Sequence, residues 1–178
     1  CRSAELTLPG FVHDVCAAIH PLAHDSPFFQ SLPLDRYGLR WIYPAAALAH
    51  PLNGTDAVLL QGTVGATAER LGPDGIAYAR LMLPFVERWP ELRPDILAPI
   101  HWPRSPWLTF HFARIAGRSV HSVAHTRFQG QAARALLAGN AGHSLLPLDV
   151  AGTAGFALVL GALGHVNGWP LVEGGSQQ

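Results

Sequence analysis

The feature that most constrains the fold is an apolar stretch near the carboxyl end, residues 153–165. The stretch is predicted to be helical, and apolar side chains occupy nearly every position around it, so no face of the helix suits water. Gly155, Gly161 and Gly164 lower its helix propensity but permit close approach of neighbouring backbone. Such a helix belongs in a protein interior, and the rest of the chain must supply the elements that surround it.

The first third of the chain is predicted to be rich in strands. β-Branched and aromatic residues recur there in short runs, which Pro, Gly, Asn and Asp residues separate. Asn53-Gly54 tolerates the positive φ of a tight turn, and this predicts a hairpin over residues 48–61. The predicted strands are residues 5–8, 11–15, 39–43 and 57–61.

The middle of the chain is predicted to be helical. Thr63 suits the capping position of one helix, and Pro73 suits the first turn of the next. Five prolines between residues 90 and 106 leave room only for a short helix there. The predicted helices cover residues 63–71, 73–89, 91–98, 119–128 and 131–137. This order of elements predicts an α+β fold in which helices cover a mainly antiparallel sheet.

The charges exclude some classes of function. The chain has 178 residues and no net charge, and its twelve Lys and Arg positions are all arginine. No basic stripe appears, so the electrostatic footprint of a nucleic-acid-binding protein is missing and no nucleic-acid partner is expected. A P-loop needs a lysine, and the other phosphate-binding loop, G-x-G-x-x-G, does not occur either.

The cysteines and the longest apolar stretch bear on location. Cys1 and Cys16 form neither a disulfide framework nor a metal-binding pattern, which favours a reducing, cytoplasmic setting. Residues 151–164, the longest nearly uncharged apolar stretch, are fewer than the roughly 20 that a membrane-spanning helix needs. We therefore expect a cytoplasmic protein that does not cross the membrane.

Motifs for metal binding and hydrolysis are incomplete. His121 and His125 have the spacing of zinc ligands, but Ser122 replaces the glutamate of the H-E-x-x-H motif. A helix face with two solvated or locally bonded histidines explains this pair, and no metal is predicted. The G-x-S-x-G motif is absent, although a triad assembled in space would leave no such motif. A hydrolase with an unrecognised triad therefore stays open.

The two ends of the chain carry the motifs of a known family. The matching residues are Arg2, Thr7, Pro9-Gly10-Phe11 and Asp14 at the amino end, and Gly168-Trp169-Pro170 and Gly174-Gly175-Ser176 at the carboxyl end. With these residues, and with residues 141–144 and 155–161 between them, the chain resembles the phytoene dehydrogenase-like, FAD-dependent oxidoreductases. The resemblance covers most of the chain.

The resemblance implies that the chain is the substrate-domain portion of a two-domain flavoprotein. Residues 1–20 would be a remnant of the FAD-binding domain and the crossing from it, residues 21–168 the substrate-binding domain, and residues 169–178 the return. Both termini would then be cuts through a larger protein, with the G-x-G-x-x-G loop upstream of Cys1. The two ends of the chain are expected to lie near each other around the cofactor.

The resemblance also implies roles for individual residues. The cofactor-binding positions, for FAD, are Arg2, Ala17, Ala18, His20, Gly174 and Gly175, and the substrate positions are Trp169 and His165. The residues alone leave open a surface Arg2, a structural His20 and a Trp169 that packs in the core. No catalytic residue is assigned, and His20, His143 and His165 are candidate proton acceptors only because imidazole titrates near working pH.

The reaction implied by the resemblance is hydride transfer from a substrate C–H bond to the flavin. The substrate would be an apolar small molecule, of isoprenoid or carotenoid type. Peripheral contact with a membrane would suit such a substrate, although no basic amphipathic helix supports it. The alternative is a non-catalytic module that binds an apolar ligand or partner, and the oligomeric state stays open.

Overall fold

A computed structural model describes residues 2–52, 54 and 56–177. Helices make up 51% of the chain and strands only 13%, so the helices form the body of the molecule. The helices are α1 (Pro21–Asp25), α2 (Pro27–Gln30), α3 (Val64–Glu69), α4 (Gly75–Val86), α5 (Trp89–Ile96), α6 (Pro106–Ala116), α7 (Val120–Arg127), α8 (Gln131–Ala141) and α9 (Thr153–Val166). Short 3-10 turns cover Leu34–Tyr37, Gly72–Asp74 and Gly142–Ser144.

The strands form three separate two-stranded antiparallel sheets, not one sheet. The strands are β1 (Ser3–Glu5), β2 (Val12–Asp14), β3 (Trp41–Ile42), β4 (Ala46–Pro51), β5 (Ala57–Gln61) and β6 (Leu171–Val172), paired as β1 with β2, β3 with β6 and β4 with β5. The mixture of helix and antiparallel strand is as predicted. The expected single sheet under helices is wrong, because the strands of the described residues pair in twos, and it is the β4–β5 hairpin that packs on α3, α8 and α9, with Val58 and Leu60 buried.

Helix α9 lies at the centre of the core, as its composition predicts. Its neighbours are α4, α6, α7 and α8, and its residues from Leu160 to His165 are all buried. A Cβ at Gly161 would lie 3.0 Å from the Met82 Cε atom, and one at Gly164 would overlap the Leu60 side chain. The glycines therefore allow other side chains to pack directly on the backbone of α9.

The predicted hairpin and the predicted cap of α3 are confirmed. Strand β5 covers Ala57–Gln61, and the Thr63 hydroxyl accepts a hydrogen bond of 3.1 Å from the Ala66 N–H. Of the predicted turn, Asn53 lies outside the described residues. The helix predicted over 73–89 is in fact divided, because a 3-10 turn precedes α4 and a break separates α4 from α5. Helix α6 was not predicted.

The buried carboxylate of Asp25 fastens the amino-terminal part of the chain to the helices. Its oxygens accept hydrogen bonds from Trp89 Nε1 at 2.9 Å and from Asn167 Nδ2 at 2.7 Å. The Arg93 guanidinium donates to the Asp25 carbonyl at 2.9 Å and lies 3.4 Å from the carboxylate. Asp25 thereby joins α1 to α5 and to the end of α9.

Replacement of Asp25 tests this junction. We expect Asp25→Ala to lower the free energy of unfolding by about 3 kcal/mol, because it leaves the buried Trp89 indole and the partly buried Asn167 amide without their acceptor and removes the carboxylate beside Arg93. Asp35→Ala, which removes an exposed carboxylate, is the matched control and should change stability little. Urea denaturation of both variants makes the measurement, and equal losses in the two would contradict the role given to Asp25.

Two helical glycines give a second test, with opposite expected signs. A Cβ at Gly75 would overlap the carbonyl oxygen of Ala68, whereas one at Gly65 meets nothing within 4 Å. We expect Gly75→Ala to destabilise the protein by about 1–3 kcal/mol through overpacking, and Gly65→Ala to stabilise it by roughly 0.5–1 kcal/mol. Thermal unfolding of the pair measures both effects, and a shift of the same sign in both would refute the packing described.

Candidate functional site

A cavity of 750 Å³ lies between the amino-terminal segment and the helical core. Residues 16–23 form one wall. The facing wall is made by α6, with Phe112 and Ala116, and by α9, with Phe156 and Val159. A volume of this size accommodates a small organic ligand.

The remaining lining is also mostly apolar. Ile96 and Leu97, where α5 ends, also line the cavity, as do His143 and Trp169. Within this lining the ionisable side chains are His143, His20 and Cys16. The cavity therefore suits an apolar ligand with few polar groups.

The wall of residues 16–23 is fixed by the segment that follows α9. The backbone N–H of His20 donates to the Pro170 carbonyl at 3.0 Å, and Ile19 forms an antiparallel bridge with Leu171. Strand β6, which contains Leu171, pairs in turn with β3. Together with Asp25 at the end of α1, these contacts hold the wall at both of its ends.

A hydrogen-bonded chain of Asp14, Ser176 and His20 lies at this wall. The Ser176 hydroxyl is 3.0 Å from the Asp14 carboxylate and 2.6 Å from the Ala17 carbonyl, and both of these groups can only accept. The hydroxyl proton is therefore donated to one of them, and the Ser176 oxygen accepts from His20 Nε2–H at 2.8 Å. In the neutral ring this network places the proton on Nε2, so that Nδ1 then carries the lone pair.

Asp14 also joins the two ends of the chain. Its carboxylate accepts from the Ser3 hydroxyl at 2.6 Å and from the Ser176 N–H at 2.8 Å, and these bonds lower the pKa of Asp14. The Ser3 N–H donates to the side-chain carbonyl of Gln177 at 2.9 Å. A Cβ at Gly175 would lie 3.0 Å from the Ser3 hydroxyl, so the close approach needs glycine there. The expected proximity of the ends is confirmed.

The structure brings four of the predicted site residues together at the cavity. Ala17, Ala18 and His20 line it from one side, and Trp169 lines it from another. The Trp169 indole donates to the Leu160 carbonyl at 3.2 Å and is 3% exposed. Trp169 is therefore a core residue that also forms part of the cavity wall, and its contact with a substrate stays a prediction.

Three predicted cofactor residues lie at the junction of the chain ends, outside the cavity lining. Gly174 and Gly175 have φ values of 78° and 95° and form the turn after β6. The Arg2 backbone carbonyl accepts a hydrogen bond from the Val15 N–H at 2.8 Å, and the side chain of Arg2 is exposed. No carboxylate among the described residues pairs with the Arg2 guanidinium.

His165 lies in the core and is not among the residues that line the cavity, so the structure does not bring it to the other predicted site residues. Its Nδ1–H donates to the Gln61 carbonyl at 3.0 Å, and its Nε2 accepts from the Tyr78 hydroxyl at 2.7 Å. Burial lowers the pKa of His165 to about 4, so the ring is neutral at pH 7. Burial also raises the pKa of Tyr78.

The zinc-like pair lies elsewhere, on a smaller cleft of 440 Å³ that Arg134 also lines. The ring centroids of His121 and His125 are 4.4 Å apart. In the part of the chain that the structure describes, no group of three or more His, Cys, Asp or Glu residues is placed to hold a metal ion.

Sequence reasoning missed the contribution of α6 to the cavity. Phe112 and Ala116 come from this helix, and it was overlooked because the prolines before it were interpreted as interruptions. The signal was Pro106, which occupies the first turn of α6, where proline is favoured. Phe156 gave no signal, because a helix that is apolar all round does not reveal which face meets a cavity.

Comparison of the chain with known protein families, with curated proteins and with solved structures gives no match in any of the three. The resemblance to flavoenzymes therefore depends on the motifs quoted above. No helix in the described ranges is both long enough and apolar enough to cross a bilayer.

The neutral state of His165 predicts how stability depends on pH. Its folded pKa of about 4 lies below the ordinary value of 6.5, so the unfolded chain binds more protons between these values. The stabilisation is complete above pH 6.5 and is lost as the pH falls toward 4, by about 3 kcal/mol in all. In His165→Gln this part of the pH dependence should disappear. Urea denaturation at several pH values compares the two proteins, and parallel profiles would contradict the assignment.

Proposed function

We propose that the chain is the substrate-binding portion of an FAD-dependent oxidoreductase, and that its cavity holds an apolar substrate. One observation carries the proposal. Residues 16–20 and 169–176, which the family resemblance relates to the flavin, are separated by about 150 residues of sequence yet are hydrogen-bonded to each other at the cavity. This is the juxtaposition that a site between flavin and substrate requires.

The residues at this junction fit a flavin in size and in donor chemistry. Cys16, Ala17 and Ala18 have small side chains, so a flat ring could approach their backbone closely. The exposed Arg2 guanidinium can donate to phosphate or ribityl oxygens. When bound, the flavin would supply one function, the acceptance of a hydride from a substrate C–H bond.

The chain's own residues would bind and orient the substrate. The apolar walls exclude water and favour a long hydrocarbon over a polar molecule. Removal of a hydride and a proton from adjacent carbons needs a base, and His20 Nδ1 is such a group at the wall. Ser176 would keep His20 in the required tautomer, and Asp14 would stabilise the imidazolium through Ser176.

A second candidate function is a module that binds an apolar ligand without catalysis. It is favoured by the mostly apolar lining of the cavity, in which Cys16, His20 and His143 are the ionisable residues. The two functions differ in whether flavin is bound, and in whether His20 affects turnover as well as binding.

Flavin content separates the two candidates. We expect the complete reading frame that contains this chain to encode a G-x-G-x-x-G motif upstream of Cys1 and to yield a purified protein with a flavin absorption spectrum. An upstream sequence without the motif, together with a colourless product that gains no flavin on addition of FAD, would overturn the oxidoreductase proposal and favour the binding module.

Ligand binding tests the cavity directly, with all-trans-retinol as an apolar polyene probe. Phe156→Glu places a charge in the cavity lining, and we expect it to weaken retinol binding more than tenfold, because burial of a carboxylate against hydrocarbon is unfavourable. Ile76→Glu changes an exposed apolar residue of α4 and is the control. Energy transfer from tryptophan to retinol measures binding, and equal affinities in the two variants would refute the cavity as the binding site.

A further inference from the structure

We propose that the loop after α5 and the outward face of α6 form a docking surface for an anionic lipid bilayer. The surface, called here the tryptophan patch, consists of Ile100, Trp102, Trp107 and Phe110 with Arg104 and Arg114. The proposal goes beyond the proposed function, since a flavoenzyme or a binding module could act without a membrane. Only the route from bilayer to cavity, described below, rests on the proposed function.

The apolar side chains of the patch are exposed to solvent over more than half of their surface. Ile100 is 106% exposed, Trp102 87%, Trp107 85% and Phe110 58%. Scattered exposed apolar residues are ordinary, but two tryptophans and two further large apolar residues within eleven positions form a concentration that marks an interaction surface. Tryptophan favours the interface between lipid and water, because its ring is apolar and its N–H is polar.

Hydrogen bonds to Asp95 of α5 fix the end of the loop that carries the exposed side chains. The Asp95 carboxylate accepts from the Arg104 N–H at 2.9 Å, from the Ser105 N–H at 3.0 Å and from the Thr109 hydroxyl at 2.7 Å. These bonds fix the loop against the start of α6. The carboxylate itself is shielded from solvent, with 0% exposure, so it places no accessible negative charge beside the patch.

Helix α6 is divided into two faces, both rich in apolar residues. Leu108, Phe112 and Ile115 are buried in the core. Trp107, at the start of the opposite face, is followed at helical spacing by Phe110 and Arg114, and all three are exposed. An outward face with aromatic residues and an arginine is typical of helices that lie in a membrane interface.

Charge identifies the partner as anionic. From residue 96 to residue 148 the chain contains five arginines and no aspartate or glutamate, although the whole protein is neutral. Arg104 and Arg114 of the patch are exposed, and among the described residues no carboxylate forms an ion pair with either of them. Phosphate headgroups would pair with these two guanidinium groups. Exposed hydrocarbon beside arginine favours a bilayer over a nucleic acid.

The patch is continuous with the mouth of the cavity. Leu97, which opens the loop, is 45% exposed and also lines the cavity, as does the half-exposed Phe156 of α9. Leu97 lies three residues before Ile100, so the patch and the cavity lining meet along the chain at this point. If the proposed function holds, an apolar ligand would enter the cavity from the bilayer beside Leu97.

Vesicle binding tests the proposal with the 178-residue chain. Vesicles of phosphatidylcholine and phosphatidylglycerol in equal parts should bind the protein in a flotation assay, and vesicles of phosphatidylcholine alone should bind it at least about fivefold more weakly. Trp102→Ala with Trp107→Ala should lower binding to the anionic vesicles by about tenfold or more. Tyr37→Ala removes an exposed aromatic residue far along the chain from the patch and is the matched control, expected to bind as the wild type does.

Several results would overturn the proposal. The proposal fails if vesicles do not bind, if the two kinds of vesicle bind equally, or if the Tyr37 control loses as much binding as the tryptophan variant. It also fails if the chain self-associates and the tryptophan substitutions abolish that association, because a second copy of the chain would then occupy the patch. All the substituted side chains are exposed, so circular dichroism should show unchanged folding. Retinol binding in the absence of vesicles is measured in parallel, so that a failure of the patch is distinguished from a failure of the cavity.

Discussion

The architecture depends on a buried carboxylate near the start of the helical region. A carboxylate removed from water is destabilising unless its oxygens are fully hydrogen-bonded, and Asp25 obtains its donors from an indole, an amide and a guanidinium on two other elements. These donors exist together only when α1, α5 and the end of α9 are assembled. Asp25 therefore attaches the amino-terminal segment to the helices at a defined place, and the cavity lies between that segment and the core.

The second attachment of the same segment is polar and more exposed. Asp14 and Ser176 join the two ends of the chain, and Ser176 also meets His20 at the cavity. One attachment thus helps to fix the position of the wall, and the other orients the ring of a histidine in it. In the function proposed above, these two carboxylates would shape a site for hydrocarbon that also presents a base, although neither carboxylate lines the cavity.

Local features of the sequence were predicted best. The capping hydroxyl of Thr63 and the interior position of α9 follow from side-chain chemistry within a few residues, and both were found. The placement of His165 could not be predicted, because its partner Tyr78 lies 87 residues away and only the tertiary structure pairs them. Helix α6 was missed for a different reason, since Pro106 was weighed as a breaker although proline at a first helical turn favours the helix. The junction of the chain ends was expected from family motifs, whereas the Asp25 attachment has no local pattern and was not anticipated.

The most direct test of the account is a crystal structure of the chain grown with all-trans-retinol. The account predicts density for the polyene between residues 16–23 and α9, in contact with Trp169 and beside His20, with the Asp14–Ser176–His20 hydrogen bonds intact. Density for retinol at another place on the molecule, with the space between residues 16–23 and α9 closed, would contradict it.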